Sequence, residues 1–314
     1  MELIGQHIKE AASKFIGQPR GITTGFSQLD DCIWGFQGQK LIVIGGRPGM
    51  GKSSILADMA LAASTECSVG VFSCEMPKEQ LSPRLACNLA KLNYHSVRRN
   101  KITKIEKEHF DAAVEEVKKR PIVVDYDSGI VGLDEYWIKQ QNLKSENILD
   151  TKLKIMVSKH GCKVIFVDYL QLIRHINLSK KDRRLEVGDI AETLRNYAKK
   201  YNITVVLLSQ LRRFEQARYR EEGKSKPPLP TMDDLKESGE IENHSDVVIL
   251  LHRPQYYYIE KQMDLITNVI EDDALLLIVK NRDGPDGAIP VNWLAYAMSY
   301  TDKDKGYDLR SGDI

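Results

Sequence analysis

Gly46, Gly51, Lys52 and Ser53 stand at the spacing G-x-x-x-x-G-K-[ST], within Gly46-Arg47-Pro48-Gly49-Met50-Gly51-Lys52-Ser53. A glycine-rich turn of this kind curls so that successive backbone N–H groups point inward at an anionic phosphate chain. A helix opening at its end adds partial positive charge. In such a turn the lysine reaches the β- and γ-phosphates and the hydroxyl ligates Mg²⁺. Those roles fall to Lys52 and Ser53, with Gly46, Pro48, Gly49, Gly51 and Ser54 completing the cradle. The four fixed positions arise by chance in about one per cent of chains this long. Here an uncharged β-branched run, Leu41–Ile44, precedes the turn, and a helical pattern runs from Lys52 to about Ser64. Strand, turn and helix together predict a nucleoside triphosphate site with Mg²⁺.

Other polar residues follow apolar strands. Asp168 ends Val164-Ile165-Phe166-Val167, the position from which a carboxylate can hold Mg²⁺ beside Ser53. Glu75, just past Val69–Cys74, is the candidate to accept a proton from the attacking water. Read alone, it also fits a helix N-terminal charge, the lesser of the two readings. Gln210, after Thr204–Leu208, suits a γ-phosphate contact or a plain strand-end polar cap. Lys280 and Arg282 end a further apolar strand; taken in isolation they look like surface basic residues, or like cations that clamp a transition state.

The elements that must position these residues follow from periodicity. Short apolar strands alternate with amphipathic helices, which predicts an α/β, doubly wound, mostly parallel sheet with ligands at the carboxyl ends of its strands. One such helix carries the stripe Val187, Ile190, Ala191, Leu194, Tyr197 and Ala198. Thr103-x-x-Glu106 reads as a capping box opening another. Gly21–Gln39 reads as a turn-rich lead-in, Val291–Tyr300 as one final strand, and Tyr256–Asp273 gives no clear pattern. The polar stretch around Asp134–Asn147 reads as an insertion. Arg212–Pro230 is charged, contains proline and is nearly free of aliphatics, as expected of a loop. Residues 1–20 form an amphipathic helix stopped by Gly17 and Pro19 that either folds back or docks on a neighbouring subunit. Residues 21–314 then form one ATPase-sized domain.

With 314 residues, 42% apolar and 28% charged, the chain has the composition of a globular protein with a sizeable core. Its 45 basic and 44 acidic residues nearly cancel, which leaves room for a local basic strip. The five cysteines form no C-x-x-C pair, which argues against a zinc or thioredoxin-type site. With no signal sequence and no long apolar run, a cytoplasmic chain away from the membrane is expected.

Five motifs in order, F-S-C-E-M-P, V-I-F-V-D-Y-L-Q-L, L-L-S-Q-L, D-L-K-E-S-G-E-I-E and K-N-R-D-G-P, make the chain resemble the DnaB-type replicative DNA helicases, with their RecA-like P-loop core, from about Gly21 to Tyr300. The resemblance implies a homo-hexameric ring that hydrolyses ATP at subunit interfaces and moves along single-stranded DNA during replication, with a loader or other replication proteins as further partners. It implies Glu75 as catalytic base, Gln210 as γ-phosphate sensor, Asp168 with Ser53 at Mg²⁺, and Lys280 and Arg282 acting from the adjacent protomer. Lys236, Glu237 and Gly239 match the loop that grips the DNA backbone; the family usually has arginine at Lys236, which keeps the charge but loses the bidentate fork. Arg212, Arg213, Arg218 and Arg220 read as a second DNA-facing segment or as a solvated loop. The family's N-terminal helical domain has no counterpart in the sequence, and Met1–Gly17 is similar to its linker helix. That trimmed start suggests a phage or mobile-element version. A RecA-like recombination or repair ATPase, and a helicase-derived protein that modulates a cellular helicase, stay open as alternatives.

Overall fold

The computed structural model describes residues 12, 16, 19–126, 148–168, 183–212, 229–235, 238–259 and 271–303. The expected N-terminal helix (apart from Ala12 and Ile16), the insertion around Asp134–Asn147 and most of the Arg212–Pro230 loop lie outside these residues.

The strands of a nine-stranded sheet are β1 (Lys40–Gly46), β2 (Ser68–Ser73), β3 (Ile122–Asp125), β4 (Cys162–Asp168), β5 (Thr204–Gln210), β6 (Val247–His252), β7 (Glu271–Asn281), β8 (Gly287–Leu294) and β9 (Ser299–Asp302). Their order is β3-β2-β4-β5-β1-β6-β7-β8-β9. From β3 to β6 every pairing is parallel, and from β6 to β9 every pairing is antiparallel. The helices are α1 (Ser27–Ile33), α2 (Lys52–Ala63), α3 (Lys78–Ala90), α4 (Tyr94–Arg98), α5 (Lys104–Lys119), α6 (Ile148–Ser158), α7 (Arg183–Tyr201), α8 (Ser238–His244) and α9 (Pro254–Ile259).

Successive strand residues point to opposite faces, and both faces are apolar. Ile42, Ile44, Phe166, Val206 and Leu208 pack with Ile55, Leu56 and Met59 of α2. Leu41, Val43, Ile165, Val167, Val205 and Leu207 pack with Val187, Ile190, Leu194 and Ala198 of α7. Double winding thus follows from strands without a polar side, flanked by helices with one. The capping box at Thr103 forms, with the Thr103 side chain accepting from the Glu106 N–H and the Glu106 carboxylate accepting from the Thr103 N–H.

Three expectations change. The lead-in contains helix α1, whose Leu29 and Ile33 are buried although Asp30 and Asp31 interrupt its pattern. Val291–Tyr300 is two strands, β8 and β9, joined by a turn in which Met298 takes a φ of 52°. Its largely apolar character reflects burial within both arms, where Trp293 and Tyr300 face each other across the pair with ring centroids 4.7 Å apart. Tyr256–Asp273 resolves at its ends into α9 and the start of β7.

Candidate active site and its opposite edge

Parallel pairing brings the polar strand ends to one edge. Gly46 lies opposite Gln210, and Ser73 opposite Asp168. The Cys74 N–H donates to the Asp168 carbonyl at 2.9 Å, carrying the ladder one step further toward Glu75. Glycine is required in the phosphate loop for two separate reasons. Gly49 and Gly51 take φ of 79° and 84°, in the left-handed region. A Cβ would also lie 2.4 Å from Tyr256 Oη at Gly49, and 2.8 Å from Trp293 Cζ3 at Gly51.

Lys52 opens α2, and its ammonium donates to the Gly46 carbonyl at 3.0 Å. Burial pushes its pKa down, while the negative charges of Asp168 and then Glu75 oppose that. Ser53 is half-buried beside it, Ser54 is buried and Pro48 half-buried. Asp168 is 1% exposed, and neither carboxylate oxygen has a geometrically sound hydrogen bond among the described residues. Burial pushes its pKa up to about 6; the Ser53 hydroxyl nearby, Lys52 and Arg84 pull it down, and Glu75 pushes it up. A buried carboxylate with little to satisfy it besides the Ser53 hydroxyl, at a strand end beside the phosphate loop, is a hard-oxygen donor set that suits Mg²⁺. Glu75 is exposed, two residues past β2, and its charge reaches both Lys52 and Asp168.

Several residues here carry no motif signal. Arg253, buried at the end of β6, donates to the Gly49 carbonyl at 3.3 Å while its guanidinium lies 4.2 Å from the Trp293 ring centroid. Tyr300 donates from its hydroxyl to the Met50 carbonyl. Arg47 pairs with Asp234 at 3.4 Å, joining the loop to the 3₁₀ turn at Met232–Asp234. Arg84 of α3 acts on Asp168 and stacks over Tyr94 at 5.5 Å. Only spatial neighbourhood picks these out.

The other expected site residues fall elsewhere. Because β7 runs antiparallel, Lys280 and Arg282 lie at the amino ends of β1 and β6, with Lys280 opposite Val248 while Gly46 is opposite Leu251. They stand at the edge away from their own phosphate loop, about 10 Å along the strands at roughly 3.3 Å per residue. Lys280 donates to the Glu242 carbonyl, and Arg282 Nη2 donates to the Asn243 carbonyl at 2.8 Å. Gly239 is exposed on α8 with open space where a Cβ would sit. Arg212 is exposed, its N–H donating to the Asp234 carbonyl at 2.8 Å. Arg213, Lys236 and Glu237 lie outside the described residues. No helix among the described residues is long and apolar enough to cross a membrane.

The family model for the DnaB-like helicase C terminal domain matches residues 21–302. The replicative DNA helicase DnaC of Bacillus subtilis is 31% identical over 294 residues, covering 93% of this chain and 59% of that protein. The replicative DNA helicase DnaB of Geobacillus stearothermophilus is 30% identical over the same length and coverage. The chain thus spans 59% of the length of these curated relatives. A solved DnaB-like replicative helicase, described with its interactions with primase, superposes with a TM-score of 0.76 at 22% identity, over 97% of this chain and 68% of that one. A second solved structure, described as an ATPase domain, superposes with a TM-score of 0.74 at 22% identity, over 97% of this chain and 100% of that one. These likenesses agree with the α/β, mostly parallel RecA-like fold, and the sequence match goes further: the chain belongs to the DnaB-like helicase C-terminal domain family.

Proposed function

We propose that the protein hydrolyses ATP between adjacent copies of itself, in a ring around single-stranded DNA, and moves along that strand as a replicative helicase does. One observation carries this reading: the phosphate loop, Asp168 and Gln210 occupy one edge of the sheet while Lys280 and Arg282 occupy the other. Basic residues at that distance serve a nucleotide only if a second copy brings its far edge against the first copy's near edge. A head-to-tail contact of this sort repeats, and it closes into a ring when the rotation allows.

In the proposed mechanism the loop amides and Lys52 bind the phosphates, and Ser53 and Asp168 would hold Mg²⁺. Held there, Mg²⁺ would supply positive charge against the negative charge that develops on the transferring group. Glu75 orients the attacking water and accepts its proton. Gln210, level with Gly46, contacts the γ-phosphate end, and Lys280 and Arg282 of the neighbouring copy stabilise charge on the transferring group. Gly239, with Lys236 and Glu237 just before it in sequence, contacts DNA phosphates, giving affinity without sequence choice. Relatives named as replicative DNA helicases support the substrate assignment.

The test is ATP turnover with and without single-stranded oligonucleotide, alongside unwinding of a forked duplex. Lys52→Ala should abolish hydrolysis. Arg282→Ala should bind nucleotide and fail to hydrolyse it, and mixing the two inactive proteins should restore some turnover. Full-rate hydrolysis by a protein that stays monomeric with nucleotide and DNA would overturn the reading.

A further inference from the structure

Arg282 is held between the last turn of α8 and Asp246, the residue that leads into β6. Its Nη2 donates to the carbonyl of Asn243, in the last turn of α8, at 2.8 Å. Its Nη1 lies 3.5 Å from Asp246 Oδ1, and its backbone N–H donates to the Asp246 carbonyl at 3.1 Å. Asp246 is 4% exposed and stands between the end of α8 and the start of β6. Its Oδ2 accepts from the Leu41 N–H at 2.9 Å, and its own N–H donates to the Leu41 carbonyl at 2.8 Å. Its Oδ1 also accepts from Arg195 of α7 at 3.1 Å. Lys280 donates to the carbonyl of Glu242, one residue before the one Arg282 uses.

The two carbonyls matter because of where they are. The last four carbonyls of a helix have no intrahelical donor, and cations are favoured at that negative end. Lys280 and Arg282 therefore cap α8, and any shift of that helix moves the acceptors of both. The other end of α8 begins at Ser238, beside Gly239, which is exposed and open. Seven residues at roughly 1.5 Å each make a rod of about 10 Å. Ile241 anchors the rod in the core, and Glu240 lies against Gly188 of α7. Arg282 keeps 37% of its side chain exposed, so the seat leaves part of it accessible.

We propose that Asp246 is a positioning residue: with the last turn of α8 it forms a seat that orients Arg282 toward the next copy's nucleotide, and α8 transmits DNA contact at its first turn to that seat. The seat has one fixed wall, tied to β1, and one wall on the helix that starts at the DNA-facing turn. The guanidinium orientation then depends on their relative position, which gives the trans-acting cation a direct dependence on DNA. This inference rests on the trans role of Arg282 proposed above.

Asp246→Asn keeps the shape and an oxygen acceptor for Leu41 while removing the charge. In the assembled protein on single-stranded oligonucleotide, it should lower kcat about tenfold and change the KM for ATP less than about twofold. Mixing it with Lys52→Ala, whose seat is intact, should restore turnover, because the Asp246→Asn copy keeps a working phosphate loop. Asp246→Asn combined with Arg282→Ala should fall no further than Arg282→Ala alone. Full turnover by Asp246→Asn, or a loss that mixing does not rescue in rings shown to be mixed, overturns the seat. If Arg282→Ala itself keeps full turnover, the trans reading fails first; if it is inactive while Asp246→Asn is not, only the seat fails. Should Asp246→Asn not assemble, hydrogen exchange on the unsubstituted protein decides. Oligonucleotide binding should change protection of the Ser245 and Arg282 amides together, and a change in α8 that leaves Arg282 untouched overturns the relay.

Discussion

The hydroxyl of Tyr300 donates to the carbonyl of Met50, so that the last strand of the sheet holds the crest of the phosphate loop from 250 residues away. The carbonyl is turned toward protein, and the Met50 N–H donates to the Arg47 carbonyl at 3.2 Å, so both ends of this peptide unit shape the loop. Tyr300→Phe removes only that oxygen. Loss of one buried hydrogen bond costs about 1 kcal/mol, and the loop loses its hold on one carbonyl. Thermal melting should fall by a few degrees, and nucleotide affinity should fall severalfold, read by titration with a non-hydrolysable analogue. Unchanged affinity would mean the loop is shaped without β9.

Asp58 holds that same strand to α2. Its Oδ2 accepts from the Tyr300 N–H at 2.7 Å, and its Oδ1 accepts from Ser299 Oγ at 2.7 Å and Asn88 Nδ2 at 3.2 Å. Burial lifts its pKa to about 6, against the pull of Lys91 and of these hydrogen bonds. Asp58→Ala leaves several buried donors without an acceptor, at about 1–3 kcal/mol each before relaxation. It should destabilise the protein more than Tyr300→Phe does, measured by denaturant unfolding, and should loosen nucleotide binding along with it.

Asp168 illustrates a site kept at the expense of stability. Its pKa is raised from 3.8 to about 6. Between those values the folded protein holds a proton that the unfolded chain has released, so this group's contribution to stability falls as pH rises through the window. Above about pH 6 the full penalty applies, at most ~3 kcal/mol from the shift. Asp168→Asn should therefore raise the melting temperature of the nucleotide-free protein at pH 7.5 while abolishing hydrolysis. In the unsubstituted protein, protection by Mg²⁺ with nucleotide should weaken as pH drops below about 6, because the cation then competes with a proton. A variant that melts lower than the parent at pH 7.5 would contradict the burial argument.

What could be read in the chain beforehand divides along a physical line. Leu41–Ile44, Val164–Val167 and Thr204–Leu208 announce themselves because strands covered on both faces carry uninterrupted apolar runs. Asp168 follows directly, since it ends such a strand, and Lys52 and Ser53 follow from the glycine spacing that leads from β1 into α2. Arg253, Trp293 and Tyr300 were illegible because their contacts with Gly49 and Gly51 arise from β6 through β9 folding back beside β1, and no local spacing encodes that. Helix α1 was hidden by Asp30, a buried carboxylate that accepts from the Thr24 N–H at 2.8 Å and Thr23 Oγ1 at 2.7 Å, so its polarity serves the fold's interior. The edge occupied by Lys280 and Arg282 depends on one antiparallel turn of the sheet, and strand patterns do not reveal direction.

Glu75 separates chemistry from stability most cleanly. It is exposed, just before Pro77 and α3, so a neutral amide in its place disturbs no packing. If its purpose were to complement the helix dipole, Glu75→Gln would cost well under about 1 kcal/mol and leave turnover nearly intact. If it accepts the proton of the attacking water, turnover should fall by about 10²–10⁴ with nucleotide and Mg²⁺ binding retained. Removing its charge also takes away one of the two influences that hold the Lys52 ammonium charged, the smaller beside Asp168. The decisive measurement pairs single-turnover hydrolysis with analogue binding on the same preparation: a loss of rate at unchanged occupancy assigns the base, and parallel losses in both would return Glu75 to an electrostatic role.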